Sequence, residues 1–329
     1  MARLTATDLA VRRGGRRVVE PLSFALEPGT LTAICGPNGA GKSSLLMALA
    51  GLLAADAGEA ALDGQSLRAL PAKRRARAIG YLPQEGSLAW DIAVQSLVAL
   101  GRYPHGDAES EAGARAVAAA LADTGLEDLA RRPVSQLSGG ERARALLARV
   151  LAGQPQWILA DEPLAALDLA HQLRMMSHLT RRAHAAKEGV VLVLHDLSVA
   201  MNHADRALVL DKGRLIADGP PEEALAPSVI ERVWGVKARW LGAPAQRALI
   251  SDLPQPTHPL KKREGRGSQP LAPGLPCSHC MTQVRPKGCG NYLCKEMASI
   301  AELRSSTTLV FLKGSGFFWG FLGEFGTLS

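Results

Sequence analysis

Gly36-Pro37-Asn38-Gly39-Ala40-Gly41-Lys42-Ser43-Ser44 is a run suited to holding phosphate. Its Gly-x-x-x-x-Gly-Lys-Ser spacing matches the P-loop pattern in full. Glycines let successive backbone N–H groups turn inward around phosphate oxygens. A helix that starts after them adds partial positive charge at its N-terminus. Lys42 is then placed to reach the β- and γ-phosphates, and the Ser43 hydroxyl to ligate Mg2+. The context agrees, because the apolar run Leu31–Cys35 reads as a strand and Lys42–Ala50 as a helix.

A second run, Trp157-Ile158-Leu159-Ala160-Asp161-Glu162-Pro163, reads as an apolar strand ending in two carboxylates. Asp161 at the strand end is a candidate Mg2+ ligand, directly or through its water. Glu162 is a candidate base for the water that attacks a γ-phosphate. Such a pair after a strand is commonly a solvated loop. About 120 residues after a P-loop, it acquires a function.

A P-loop alone says only nucleotide. Between the two runs lies Leu137-Ser138-Gly139-Gly140-Glu141, which on its own reads as a helix cap. Here the sequence resembles the ATP-binding subunits of ABC transporters, whose signature motif this pentapeptide matches. Other stretches fit the same family in the same order. Gln84 in Tyr81-Leu82-Pro83-Gln84 resembles the Q-loop glutamine that touches Mg2+ and the attacking water. Ala165-Ala166-Leu167-Asp168 resembles the D-loop, which contacts the opposite subunit, and His195 resembles the switch histidine at the γ-phosphate. The resemblance covers residues 2–245. It implies ATP as nucleotide and a head-to-tail homodimer. In such a dimer Ser138, Gly139, Gly140 and Glu141 complete the site built on the partner's P-loop. It also implies the fold: a RecA-like P-loop α/β core, an antiparallel β subdomain and a helical signature subdomain.

One feature departs from the family. Adenine usually stacks on an aromatic residue ahead of the P-loop, yet no Tyr, Phe or Trp precedes Phe24. Arg13 stands at the expected position. Two readings follow: Arg12 or Arg13 stacks its guanidinium plane on the base, or both are solvated loop arginines.

The elements needed to position these residues are legible. Trp157–Ala160 and Val190–Leu194 join Leu31–Cys35 as strands buried on both faces. Ala114–Ala122, Arg142–Leu151 and Leu169–Ala185 have helical length, with starts signalled by Asp168 and Ser198. Strands alternating with helices predict an α/β sheet with parallel strands.

The chain has 329 residues, of which 47% are hydrophobic and 21% charged, which excludes wholesale disorder. No apolar run is long enough for a membrane helix, and no secretory signal is read at the arginine-rich start. Net charge is +7, but residues 251–329 carry nine Lys/Arg against five Asp/Glu. The body is thus only mildly basic, and no nucleic-acid partner is expected. Composition breaks near residue 250, dividing the chain into an ATPase domain over 1–250, a disordered linker over 251–276 and a tail over 277–329. Five of six Phe and four of five Cys lie beyond the break. Cys277, Cys280, Cys289 and Cys294, with His279, read either as a zinc site or as disordered or non-native coding sequence.

The resemblance narrows further. Val94 to His105, ending in Gly101-Arg102-Tyr103-Pro104-His105, is similar to the iron-chelate, haem and vitamin B12 importer ATPases. So are Gly80–Gln84 and Val233-Trp234-Gly235-Val236. That implies an ATPase on the cytoplasmic face of the inner membrane, bound to a permease dimer. A periplasmic or lipid-anchored binding protein would deliver the cargo, haem or a ferric siderophore ahead of cobalamin. The alternative is a stand-alone regulatory or assembly ATPase acting on a soluble partner.

Overall fold

The computed structural model describes residues 2–84 and 91–251. Most of the linker and the whole Cys-rich tail lie outside the described residues.

In chain order the elements are β1 (Leu4–Arg13), β2 (Arg16–Leu26), β3 (Leu31–Cys35), α1 (Lys42–Leu49), β4 (Ala57–Leu62), β5 (Gln65–Ser66), α2 (Ala72–Ala78) and β6 (Ile79–Leu82). There follow α3 (Val94–Ala99), α4 (Glu111–Thr124), α5 (Gly139–Ala152), β7 (Trp157–Asp161), α6 (Leu169–Ala186) and β8 (Gly189–Val193). The described residues end with α7 (Leu197–His203), β9 (Arg206–Asp211), β10 (Arg214–Gly219), α8 (Pro221–Ala224), α9 (Pro227–Trp234), β11 (Ala238–Leu241) and β12 (Ala248–Ser251).

The central sheet has the order β10-β9-β3-β8-β7-β6, parallel except for the β10–β9 pair. Every residue of β3, β7 and β8 is buried, so these strands carry near-continuous apolar runs, broken only by Thr32 and the terminal Asp161, instead of an alternating pattern. Successive residues feed opposite cores. Ile34, Leu159 and Val193 face the antiparallel sheet β2-β1-β4-β5 and α1. Ala33, Ile158 and Leu192 pack toward α3 to α7. This matches the expected α/β core with its antiparallel β and helical parts.

Register decides what the sheet brings together. Ile34 pairs with Val193, and Val193 with Asp161. The C-terminal ends of β3, β8 and β7 are therefore level, and β6 ends beside β7, with Leu82 opposite Ala160. The loops after these four neighbouring strands carry Gly36, His195, Glu162 and Gln84. Ligands of open parallel sheets bind at such an edge.

Some boundaries differ from the sequence expectation for physical reasons. α7 is capped by Asp196, whose carboxylate accepts from the N–H groups of Ser198 and Val199 at 2.7 and 3.2 Å. Ser198 therefore lies inside the helix, where its hydroxyl accepts from Leu249 N–H at 3.2 Å. α5 starts at Gly139, ahead of the expected Arg142. A capping box outweighs the poor helix propensity of two glycines. β8 ends at Val193, and Leu194 makes one last bond to the Ile34 carbonyl at 3.1 Å before the chain leaves for His195.

Candidate nucleotide site

The P-loop leaves β3 and turns into α1 through two glycines that accept no other residue. A Cβ on Gly36 would sit 2.2 Å from the Leu210 carbonyl oxygen, and one on Gly41 2.3 Å from that of Val18. Gly41 also adopts φ 99°, a conformation that only glycine adopts freely. The sequence motif is here a packing requirement as well as a phosphate cradle.

Lys42 is nearly buried, and its ammonium donates to the Gly36 and Pro37 carbonyls at 2.8 and 3.0 Å. Desolvation lowers its pKa, while Glu162, Cys35 and Asp161 pull it back up. The ammonium is held over the loop by two backbone carbonyls and has no direct carboxylate partner among the described residues, so an anionic ligand can take it.

Asp161 closes β7 and is almost fully buried. Burial raises its pKa, against a hydrogen bond from Ser43 that lowers it. Its Oδ1 is buried and has no hydrogen-bond partner among the described residues. A buried carboxylate oxygen left unmatched beside a serine hydroxyl is a hard-oxygen donor set suited to Mg2+.

Glu162 follows with φ 51°, left-handed backbone that costs a non-glycine residue about 1–3 kcal/mol. The turn lifts its carboxylate out of the strand line toward both neighbours. Gln84 donates from Nε2 to Oε2 at 2.8 Å, and His195 Nε2 contacts Oε1. Both carboxylate oxygens are therefore occupied by the two residues that flank the base at the sheet edge.

A cavity of about 520 Å3 gathers all of these groups except Asp161, which is buried beneath it. P-loop residues Asn38 to Ser44 line it together with Gln84, Glu162 and His195. Arg13 and Val18 line it too. Val18 was invisible in the sequence, where it is one more valine of a strand. Arg12 and Arg13, equal candidates in the sequence, part company here. Arg12 and Arg17 both donate to Asp56, at 2.9 and 3.1 Å, and hold its carboxyl below the usual range. Arg13 has no ion-pair or hydrogen-bond partner among the described residues and faces the cavity.

Ser138, Gly139, Gly140, Glu141 and Asp168 do not line this cavity. Ser138 caps α5: its hydroxyl oxygen accepts from Glu141 N–H at 3.3 Å, and Glu141 accepts from Ser138 N–H at 2.8 Å. Those contacts hold the Glu141 carboxyl below its ordinary pKa. The Gly139 side of the cap is open, with nothing within 4 Å of a notional Cβ. Asp168 caps α6 and accepts from His171 N–H at 2.9 Å and from its ring at 2.8 Å. Within one chain, the phosphate cradle and the capped helix are separate sites.

Cys35, just before the loop, is fully buried, and desolvation pushes its thiol up to about 12. Thiolate is the reactive form, so Cys35 should resist iodoacetamide at pH 8 in the native protein and react once unfolded. Peptide mass spectrometry of the two samples checks this.

The family model described as ABC transporter matches residues 19–165. The hemin import ATP-binding protein HmuV of Bordetella avium (strain 197N) is 38% identical over 254 residues, covering 75% of this chain and 97% of that protein. Its namesake from Myxococcus xanthus (strain DK1622) is 41% identical over 252 residues, 73% of this chain and 94% of that one. A solved structure described as a metal-chelate type ABC transporter in an inward-facing conformation aligns with TM-score 0.65 and 25% identity, over 77% of this chain and 98% of that chain. A dimeric ATP-binding cassette in a post-hydrolysis state, bound to ADP and Pi, aligns with TM-score 0.61 and 25% identity, over 66% of this chain and 98% of its own. With a complete P-loop after β3, a carboxylate pair at the level end of β7 and near full-length likeness to these relatives, the chain belongs to the ATP-binding, ATP-hydrolysing subunits of ABC transporters.

Proposed function

We propose that residues 1–250 form the ATPase of a haem importer, working as a homodimer on the cytoplasmic face of the inner membrane. A separate permease dimer would carry the cargo, supplied by a periplasmic or lipid-anchored binding protein. The observation that carries this reading is the 38–41% identity to hemin import ATPases along nearly their whole length. The stand-alone regulatory alternative gains nothing from these relatives.

In this reading Lys42 and the P-loop amides bind the β- and γ-phosphates. Ser43, Asp161 and the Gln84 amide oxygen would hold Mg2+. When bound, the ion neutralises charge on the phosphate oxygens and fixes their orientation. Glu162 accepts the proton of the attacking water, which must first displace Gln84 or His195 from one carboxylate oxygen. His195, released from Glu162, can then face the γ-phosphate. Arg13 takes the place of the stacking aromatic. Arg13→Ala should weaken ATP binding by about three- to tenfold, in line with a partly exposed cation–π contact. Equilibrium binding of a fluorescent ATP analogue measures it, and unchanged affinity would remove Arg13 from the base site.

The permease contact has a physical candidate in the Gly101–His105 segment. Arg102 is buried and forks onto Asp107 at 3.0 and 2.6 Å, while its third nitrogen donates to the Ala152 carbonyl at 2.9 Å. His105 contacts the Gly153 carbonyl at 2.9 Å. Both side chains pin the segment to the C-terminal end of α5, leaving Tyr103 83% exposed beside a mainly apolar cavity bordered by α2. An exposed aromatic on a rigid support suits a partner's helix.

Uptake tests the whole reading. A strain whose only copy is Glu162→Gln should lose uptake of labelled haem and keep that of ferric siderophores and cobalamin. Loss of a different substrate would rename the cargo. Loss of none, with the purified wild-type protein hydrolysing ATP, would sink the import proposal.

A further inference from the structure

Residues 163–167 join two places that the fold otherwise keeps apart. The loop starts at the base. Glu162 N–H donates to the Val193 carbonyl at 3.2 Å, and the Glu162 carbonyl accepts from Ala165 N–H at 3.2 Å. Its far end leads into Asp168 and α6. In between, its backbone lies against the first turn of α5. A notional Cβ on Gly140 would meet the Ala166 carbonyl oxygen at 3.5 Å and Leu167 Cδ2 at 3.6 Å, ordinary van der Waals distances. One short loop therefore runs from the carboxylate in the nucleotide cavity to the helix that Ser138 caps.

A segment without regular structure needs ties to hold its course. Leu164 and Leu167 bury their side chains, while Ala165 and Ala166 stay exposed. Leu167 N–H donates to the Leu164 carbonyl at 3.1 Å, closing one tight turn. A further tie comes from outside the loop. Gln172, half-buried on α6, donates from Nε2 to the Leu164 carbonyl at 3.1 Å and to the Leu167 carbonyl at 3.0 Å. Helical side chains lean toward their helix N-terminus, so a residue one turn inside α6 reaches the loop ahead of it. The Leu167 carbonyl accepts no other hydrogen bond among the described residues. Gln172 itself does not line the nucleotide cavity.

We propose that Gln172 is a positioning residue for ATP hydrolysis. By tying two loop carbonyls to α6, its amide fixes the chain between Glu162 and Gly140, and with it the aim of the Glu162 carboxylate. The backbone at Glu162 makes that tie matter, because φ 51° persists only where the surroundings impose it. A reacting group misplaced by about 1 Å can cost about 10²-fold in rate. Gln172 takes this role on the reading of Glu162 as base, whatever cargo the transporter carries.

Two variants of the full chain, assayed beside Glu162→Gln for ATP turnover, KM and melting temperature, test this. Gln172→Glu keeps the side-chain shape but removes both donors and sets an oxygen against two carbonyls. Its negative charge lies near a helix N-terminus, where it is favoured, so the melting temperature should stay within a few degrees of wild type. Its kcat should fall by about tenfold or more with KM for ATP within about twofold, the split left by a lost transition-state interaction. Gln172→Arg carries an N–H on a nitrogen the same number of bonds from Cα, and should keep kcat within about threefold of wild type. Turnover within about twofold of wild type in Gln172→Glu, or equal losses in Gln172→Glu and Gln172→Arg, overturns the assignment. So does a loss of turnover matched by a rise in KM and a fall in melting temperature, which marks a fold-holding role only. If Glu162→Gln itself keeps turnover, the base reading fails and Gln172 loses its role with it. Loss in Glu162→Gln beside full turnover in Gln172→Glu overturns the role of Gln172 alone.

Discussion

Glu162→Gln should lower ATP turnover by about 10²–10⁴-fold, the range supplied by a positioned general base. Binding should survive. Glutamine keeps the length and the hydrogen-bonding reach of the side chain, so Gln84 and His195 still find partners. It also removes a negative charge from beside the γ-phosphate, so ATP affinity should hold or tighten. The backbone at this position is left-handed, and Gln tolerates that no worse than Glu, so the melting temperature should stay within a few degrees of wild type. Phosphate release and nucleotide binding, measured on the same preparation, separate the two effects. Turnover within about tenfold of wild type would move the base away from Glu162. A loss of binding equal to the loss of turnover would make Glu162 a ligand-holding residue instead.

The two runs that carry this chemistry were legible because each is local. A P-loop is one strand, one loop and one helix start, and Asp161-Glu162 is one strand end. Chain order says nothing about why they meet. β3, β8, β7 and β6 lie side by side although Leu31 and Trp157 are far apart in sequence, and only the register levels their ends. Distant partners decided the other ambiguities. Arg12 is taken out of the nucleotide cavity by Asp56, which no spacing rule links to it. The Gly101–His105 segment carried a family resemblance in sequence, but its anchoring on the end of α5 through Arg102 is visible only in the structure. Ser198 was misread as a cap because serine is a good one, yet Asp196 is at least as good and lies two residues earlier. A family resemblance supplied the roles of Gln84, Asp168 and His195, which periodicity could not have found.

Ser138 shows two readings of one residue holding together. As a helix cap it is fully explained, since its oxygen accepts from Glu141 N–H and its own N–H is taken by Glu141. A hydroxyl still has a proton to give after accepting a bond. That O–H lies at the N-terminus of a fourteen-residue helix, where partial positive charge favours phosphate. It does not line its own chain's nucleotide cavity, and in the proposed homodimer it would serve the nucleotide of the second copy. Ser138→Asn tests the two roles apart. Asparagine caps a helix as well as serine does, so stability should change by less than about 1 kcal/mol. It cannot donate from the same place without added bulk, so turnover should fall by about 10²-fold or more, the scale of one lost transition-state donor. ATP binding to the isolated chain should stay unchanged. Mixing this variant with Lys42→Ala then decides the geometry. In a head-to-tail pair of one of each, one site keeps both an intact P-loop and an intact Ser138. If the two sites turn over independently, an equimolar mixture should recover about a quarter of wild-type turnover, from half the dimers carrying one good site in two. If Ser138 served its own chain, no combination would restore a site and the mixture would stay as inactive as its parts.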